Sequence, residues 1–434
     1  MDRGAPATTA SWTGAPAATT VPGVPDDIRA RTRAGTGLGV LLALVLGAVL
    51  LTALPGDGER EGGAACGPRG VGSWSAERGL TAEFARYGDD PARTDDWTGG
   101  DGTHSVRLPD GRLLWLFSDT YLGRVHPPPN PFGESAAWRE GSAPLVRNSA
   151  VVMRDGRLER TLPAPLFPDP APGQWRWPVA ARVEPRSPGV PERVLRVLLW
   201  VRAAGPSPWI YGVPLATEVA TLSLPDLRVE SAVRIADQQA VPDPSRRVLY
   251  GTTLVEEGGW TYVFGGDDGR AAARPAGRAH LARVPRGRLG EPDAWRYWDG
   301  SGWGAPAARS RPVLGDGRRA GVGSAFSVAR VDGTYVLFTM AAGTAGLRAV
   351  TSYWACSPAG PWHGPGRPFT PGLPPGGGLA AYNPQVHPEL GGGGRLVLSY
   401  DVNWLEPADA AAQLSRDVSR YRPRFVTLRL TPAR

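Results

Sequence analysis

One pattern recurs along most of the chain: a short strand, a turn containing glycine, and a second, more apolar strand. Its copies are HSVRLPDGRLLWLFSD (104–119), ARVEP through RVLRVLLWV (181–201), TTLVEEGGWTYVFGG (252–266), SVARVDGTYVLFTM (327–340) and PQVHPELGGGGRLVLSYD (384–401). Such repetition is a severe constraint, because a lone hairpin cannot bury its apolar face and must stack against copies of itself. Shared among five copies, the chain beyond Cys66 allows each roughly 70 residues, room for the four strands of one propeller blade. The expected fold is therefore all-β, a five-bladed β-propeller over residues 74–434, with a β-sandwich or barrel as the alternative. The final strand RFVTLRL (424–430) is expected to pair into the first blade and close the ring.

Composition agrees with many short strands. The 58 Gly and 45 Pro are spread without a period, which excludes collagen-like and coiled-coil folds, and 41% hydrophobic residues supply a core. All 48 basic residues are Arg, and the net charge is +7. These Arg residues are scattered among acids with no run that interleaves bases with aromatics, so no nucleic-acid partner is expected. The 16 Trp are expected mainly between blades, with one or two lining a sugar platform.

Leu38 to Leu54 form an uncharged apolar stretch, extended by Gly35, Thr36 and Gly37, long enough to cross a bilayer as a helix. Arg29, Arg31 and Arg33 precede it, which places the N-terminus in the cytoplasm and the large domain outside. The expected organisation is a disordered cytoplasmic tail (1–34), a transmembrane signal anchor (35–54), a linker (55–73) and the propeller (74–434). A cleaved signal peptide is the competing reading, although its basic region would be unusually long. Only Cys66 and Cys356 are present. In an oxidising exterior they pair; alternatively they are two separate thiols.

Catalytic candidates follow from the first hairpin. Its turn is centred on Asp110 and Gly111, so Asp101 is expected opposite Thr120 and diagonal to Asp119, two carboxylates on one rim. That arrangement suits glycoside hydrolysis, in which one carboxyl protonates the leaving oxygen and the other attacks or activates water. The alternative is that both acids cap turns. Asp96, His104, Asn148, Trp177, Tyr250, Asn383, His387 and Asp401 are candidate substrate-binding residues around the same funnel. Asp267 and Glu389 are further acids to try if the pair fails. No zinc motif, phosphate loop, nucleophile elbow or dinucleotide fingerprint is present, so no cofactor and no metal are expected.

WTGGDGTHSV (97–106), LPDGRLLWLFSDTYLG (108–123), RNSAVV (147–152), ARVPRGRL (282–289), SPAGPW (357–362), YNPQVHPEL (382–390) and YRPRF (421–425) resemble the five-bladed propellers catalogued as domains of unknown function 4185 and 5005. The resemblance runs from about residue 74 to the C-terminus. It implies kinship with furanosidase-type propellers such as glycoside hydrolase family 43, some relatives being endo-D-arabinanases, with Asp101 and Asp119 matching the paired acids of the first blade. WRWPVAA (175–181) lacks the acid that relatives carry at the start of blade two, and YGTTLV (250–255) lacks a Glu, so the family's three-acid set is not reproduced. The expected function is hydrolysis of a furanose-containing cell-envelope polysaccharide such as arabinan; the alternative is a non-catalytic glycan-binding or protein-interaction propeller.

Overall fold

The computed structural model describes residues 66–94, 96–209, 211–268, 277–316, 320–341, 347–374, 377–404 and 407–432. The tail, the apolar segment 35–54 and the linker up to residue 65 lie outside them. Among the described residues no helix is long and apolar enough to cross a membrane.

The described chain is all-β, with antiparallel sheets that follow one another in chain order. The first sheet contains His104–Arg107, Leu113–Phe117, Ser149–Arg154 and Arg157–Thr161; the second, Gln174–Pro185, Arg193–Ala203, Val213–Leu222 and Val229–Asp237. The third begins with Val248–Glu257, Trp260–Asp267 and Ala279–Pro285 and carries two short edge strands, Arg296–Trp298 and Trp303–Gly304. Ser327–Val331, Thr334–Met340 and Val350–Ala355 make the fourth, along whose edge residues 363–369 run in two bridges. Asp155 and Gly156, and likewise Asp332 and Gly333, both take positive φ, as a two-residue hairpin turn matched to strand twist requires.

The inner hairpin strands are buried on both faces because a sheet packs on either side, whereas the outer strands Arg157–Thr161 and Val229–Asp237 are largely exposed. Leu113–Phe117 (LLWLF) has no exposed residue. Leu114 and Leu116 join Leu195, Val197 and Leu199 of the second sheet in one core cluster. Similar clusters join the second sheet to the third, the third to the fourth and the fourth to the fifth. A further cluster returns from the fifth sheet to the first, with Phe425 and Val397 meeting Trp115 and Phe117. The sheets are thus arranged as in a propeller.

The fifth sheet corrects the expected closure. Its order is Leu379–Val386, Arg395–Trp404, Arg424–Pro432 and, outermost, Arg69–Ala76. The C-terminal strand therefore pairs within the last sheet, with Leu398 opposite Val426, rather than with the first. The cluster it fills explains the choice: Val426, Leu428 and Leu430 pack between the fourth and fifth sheets, and a one-residue slip would turn them away. The N-terminal strand then covers its free edge, with Trp74 opposite Leu428. Because that strand starts at Arg69, the β-domain begins earlier than the expected residue 74 and takes in the end of the linker. Unforeseen too is the helix Arg78–Gly88, whose Phe84 stacks on Phe425 at 5.4 Å and meets Trp115 edge-on at 5.1 Å.

Cys66 and Cys356 are bonded, with Cα atoms 5.6 Å apart and a sequence separation of 290. The bridge ties the N-terminal strand to the end of Val350–Ala355. Such a bridge restricts the unfolded chain, and disulfides typically stabilise a fold by about 2–4 kcal/mol. Cys356→Ser should lower the unfolding free energy by that amount in denaturant titration; two alkylatable thiols in the unreduced protein would refute the bridge.

Candidate functional site

Asp101 and Asp119 come together through main-chain pairing. Trp97–Gly100 runs antiparallel to Thr120–Leu122 with an irregularity between Trp97 and Gly99, which sets Gly100, not Asp101, opposite Thr120. The shift brings Asp101 directly to Asp119: the Asp101 N–H donates to the Asp119 carbonyl at 3.1 Å, and the Ser118 N–H to the Asp101 carbonyl at 2.7 Å. Gly102 then turns the chain at φ +66°, where a Cβ would strike Ser118 Oγ.

A third carboxylate arrives from the fifth sheet. Asp401, wholly buried, accepts the Gly102 N–H at 2.7 Å, the Thr103 hydroxyl at 2.6 Å and Asn383 Nδ2 at 3.3 Å. Asn383 has φ +49° and lies where the register with Arg395–Trp404 slips. A bulge of this kind re-aims side chains, and the neighbouring Tyr382 hydroxyl donates to Asp101 Oδ2 at 2.7 Å. Asp119 is held differently. Arg147 Nη1 donates to both its oxygens, at 3.2 and 3.0 Å, and Trp177 Nε1 to Oδ1 at 2.8 Å. The Arg147 guanidinium in turn lies 4.4 Å over the Trp175 ring.

These surroundings separate the acids electrostatically. Burial, then the charges of Asp119 and Asp401, push Asp101 well above the usual carboxylate range, against hydrogen bonds from Tyr382 and Tyr421. Burial also raises Asp119, but there Arg147 and Trp177 oppose it. Burial pushes Asp401 up to about 6 despite Thr103, Gly102 and Asn383. Asp101 is therefore the member that best retains a proton, and Asp119, with its side chain 21% exposed, the one best kept ionised. Among the described residues no group of three or more His, Cys, Asp or Glu could hold a metal ion.

Of the other candidates, Trp177, Asn383 and Asp401 join this cluster. Asp96 does not: Arg93 Nη1 holds it at 3.0 Å and Tyr87 donates to it, beside the outermost strand of the first sheet. Asn148 is fully buried and clamps a loop, its Oδ1 accepting the Phe167 N–H and its Nδ2 donating to Phe167 and Arg176 carbonyls. Tyr250 is core, its ring 5.1 Å from Tyr297. His104 is buried within its strand, and burial lowers it to about 3. His387, likewise lowered to about 3 by burial, is a neutral joint between sheets, with Nδ1 2.5 Å from Ser105 Oγ and Nε2 2.8 Å from Ser399 Oγ. Glu389 accepts the same Ser105 hydroxyl, and Asp267 accepts the Arg278 N–H. Sequence reasoning missed Thr103, Arg147, Tyr382 and Tyr421 as site residues, although all four lie inside the motifs that carry the family resemblance.

A family model described as Domain of unknown function (DUF5005) matches residues 83–430, most of the chain. The chain belongs to this family. The match selects the second of the two catalogued domains. No curated protein matches the DUF5005 chain. Among solved structures it is similar to a Bacteroides ovatus protein provisionally described as a hydrolase, at 18% identity and TM-score 0.59, over 82% of this chain and 90% of that one. That similarity shows a shared fold. An α-L-arabinofuranosidase from Podospora anserina aligns at 11% identity and TM-score 0.45, covering 80% of this chain and 99% of its own. A thermostable family-43 glycoside hydrolase aligns at 10% identity and TM-score 0.37, over 76% and 88% of the two chains.

A buried acid raised to about 6 carries a stability signature. Its unfolded value is near 3.9, so the folded state binds the proton more tightly. The stabilisation is complete below the unfolded value and is lost as pH rises through the folded one. Asp401 should therefore cost the wild type stability between about pH 4 and 6, and Asp401→Asn should flatten the curve there. Denaturant unfolding across that range decides it; identical slopes in both proteins would sink the assignment.

Proposed function

We propose that the protein is a five-bladed β-propeller glycoside hydrolase that cleaves a furanose-containing cell-envelope polysaccharide such as arabinan. The observation that carries this reading is the convergence of Asp101, Asp119 and Asp401 in unlike surroundings. Two carboxyl groups with separated proton affinities are what glycosidic cleavage needs. Asp101, protonated, gives its proton to the leaving glycosidic oxygen as the bond to the anomeric carbon breaks. Asp119, ionised, faces that carbon and either bonds to it or takes a proton from the water that does. Asp401 positions: it fixes the Gly102 and Thr103 backbone and its charge helps Asp101 keep its proton. The third acid thus comes from the fifth sheet, whereas the second sheet offers Val179, Ala180 and Ala181 where relatives carry theirs. That gap favours a second reading, a propeller that binds the glycan without cutting it.

The test is release of oligosaccharides from purified arabinan by the full-length chain. Asp101→Asn and Asp119→Asn should each lower the rate by about 100-fold or more while the melting temperature moves little. Turn-capping acids would give the opposite pattern. Binding of arabinan without product would establish the second reading.

The polysaccharide reading places the domain outside the cell, held by segment 35–54. Protease added to intact cells should then destroy the domain and spare the N-terminal tail; a domain protected until lysis would overturn this orientation.

A further inference from the structure

The cleavage scheme gives no role to Arg139, a fully buried residue on the short strand Trp138–Arg139. Among the described residues it forms no ion pair with a carboxylate, and its Nε has no hydrogen-bond partner. Its guanidinium lies 4.0 Å over the Tyr121 ring, and Nη2 donates at 3.0 Å to the Leu414 carbonyl in the last turn of the helix Pro407–Arg416. The aromatic face and the negative end of the helix receive part of the charge, yet burial still draws Arg139 down to about 9. A buried cation with no acid beside it is a poor source of stability. What a guanidinium does supply is a rigid fork of donors, and the other arm of this fork, Nη1, reaches the Thr98 hydroxyl at 2.8 Å.

Thr98 is the extra residue in the ladder between Trp97–Gly100 and Thr120–Leu122. Its buried side chain also donates to the Tyr121 carbonyl at 3.0 Å, and its own carbonyl accepts from Arg422 Nε at 2.9 Å. Arg422 has a counter-charge in Asp89, 2.9 Å away; Arg139 has only the geometry it imposes. With Trp97 opposite Leu122, a ladder without the extra residue would set Asp101 opposite Ser118 and turn its carboxyl to the other face. With it, Gly100 falls opposite Thr120 and the Asp101 N–H reaches the Asp119 carbonyl. The same joint seats Tyr421. Gly99 comes so close to the Tyr421 carbonyl that a Cβ would lie 2.4 Å from its oxygen, and the Tyr421 hydroxyl donates to the Asp119 carbonyl at 3.2 Å.

We propose that Arg139, acting through Thr98, is a positioning residue for the Asp101 and Asp119 pair. It ties the extra residue to the helix Pro407–Arg416 and so fixes the register that sets one carboxyl against the other. The inference rests on the hydrolase reading above and deepens it: the proton affinity that the reaction needs of Asp101 depends on a cation that meets neither substrate nor acid.

Infrared titration of the full-length protein tests this, with the Asp101 carboxyl band identified by its loss in Asp101→Asn. Asp119, Asp401, Tyr382 and Tyr421 all face that carboxyl, so its midpoint reports where Asp101 sits. Thr98→Val keeps the side chain's shape and removes the hydroxyl; Arg139→Met keeps the length and removes the fork. Each, checked for an intact fold by circular dichroism, should lower the midpoint toward the usual carboxylate range by about one pH unit or more, a tenfold loss of proton affinity. Each should also cut kcat on arabinan by about tenfold with KM little changed, as loss of an interaction made in the transition state does. A midpoint that fails to fall, or an unaltered kcat beside a lowered midpoint, would overturn the proposal. Should Arg139→Met fail to fold, Thr98→Val alone decides. Wild-type hydrolysis with unmoved midpoints removes the positioning role alone, whereas lowered midpoints in a protein that releases nothing from arabinan keep the control of Asp101 and remove the hydrolase reading.

Discussion

A buried carboxylate near the end of the chain holds the loop that opens the first sheet. Asp401 accepts from Gly102 and Thr103, some 300 positions earlier, and that contact decides where Asp101 sits. It acts with the aromatic joint around Phe84, Trp115 and Phe425 and with the Ser105, His387 and Ser399 hydroxyl-imidazole chain. Together these make the first and last sheets a single unit. A buried charge is costly unless hydrogen bonds receive it, and three donors from two separate segments receive this one. The same arrangement that joins the sheets also crowds three acids, and the crowding raises Asp101. Structural closure and acid chemistry therefore share one set of atoms.

The fold was legible where periodicity and turn chemistry speak directly. LLWLF and LRVLLWV read as the more apolar strands of their hairpins, and the Asp-Gly pair at 332 lies in one of the repeated glycine-containing turns, where few other dipeptides accept positive φ twice. Strand partnership at the termini was not legible, since Arg424–Pro432 would alternate equally well at the edge of either neighbouring sheet. Its place is fixed by the cluster it fills, a property of the assembled domain. The helix Arg78–Gly88 was also missed: its aromatic residues are held by tertiary packing, and its cap is Glu77, outside the usual capping residues.

In the candidate site, Asp101 and Asp119 could be paired from hairpin geometry to within one residue, and the irregularity at Thr98 accounts for the difference. Asp401, Asn383 and Trp177, expected around the same funnel, lie at this cluster. Asn148, Tyr250 and His387 were not separable from them by sequence, because a polar residue at a strand end looks the same whether it faces a funnel or a neighbouring sheet. Arg147, Tyr382 and Tyr421 escaped for the converse reason. Each acts by hydrogen bonding to a carboxylate brought from elsewhere, and no local pattern marks such a role.

The pairing of the two ends has a consequence for how the domain can be cut. Arg69 stands opposite Pro432 in adjacent strands of one sheet, so the β-domain has no topological starting point. A short peptide joining its ends, with new termini opened at the exposed Asp155 and Gly156 turn, would leave every strand beside its present neighbours. Such a circularly permuted chain would place the three acids in a different order along the sequence and in the same positions in space.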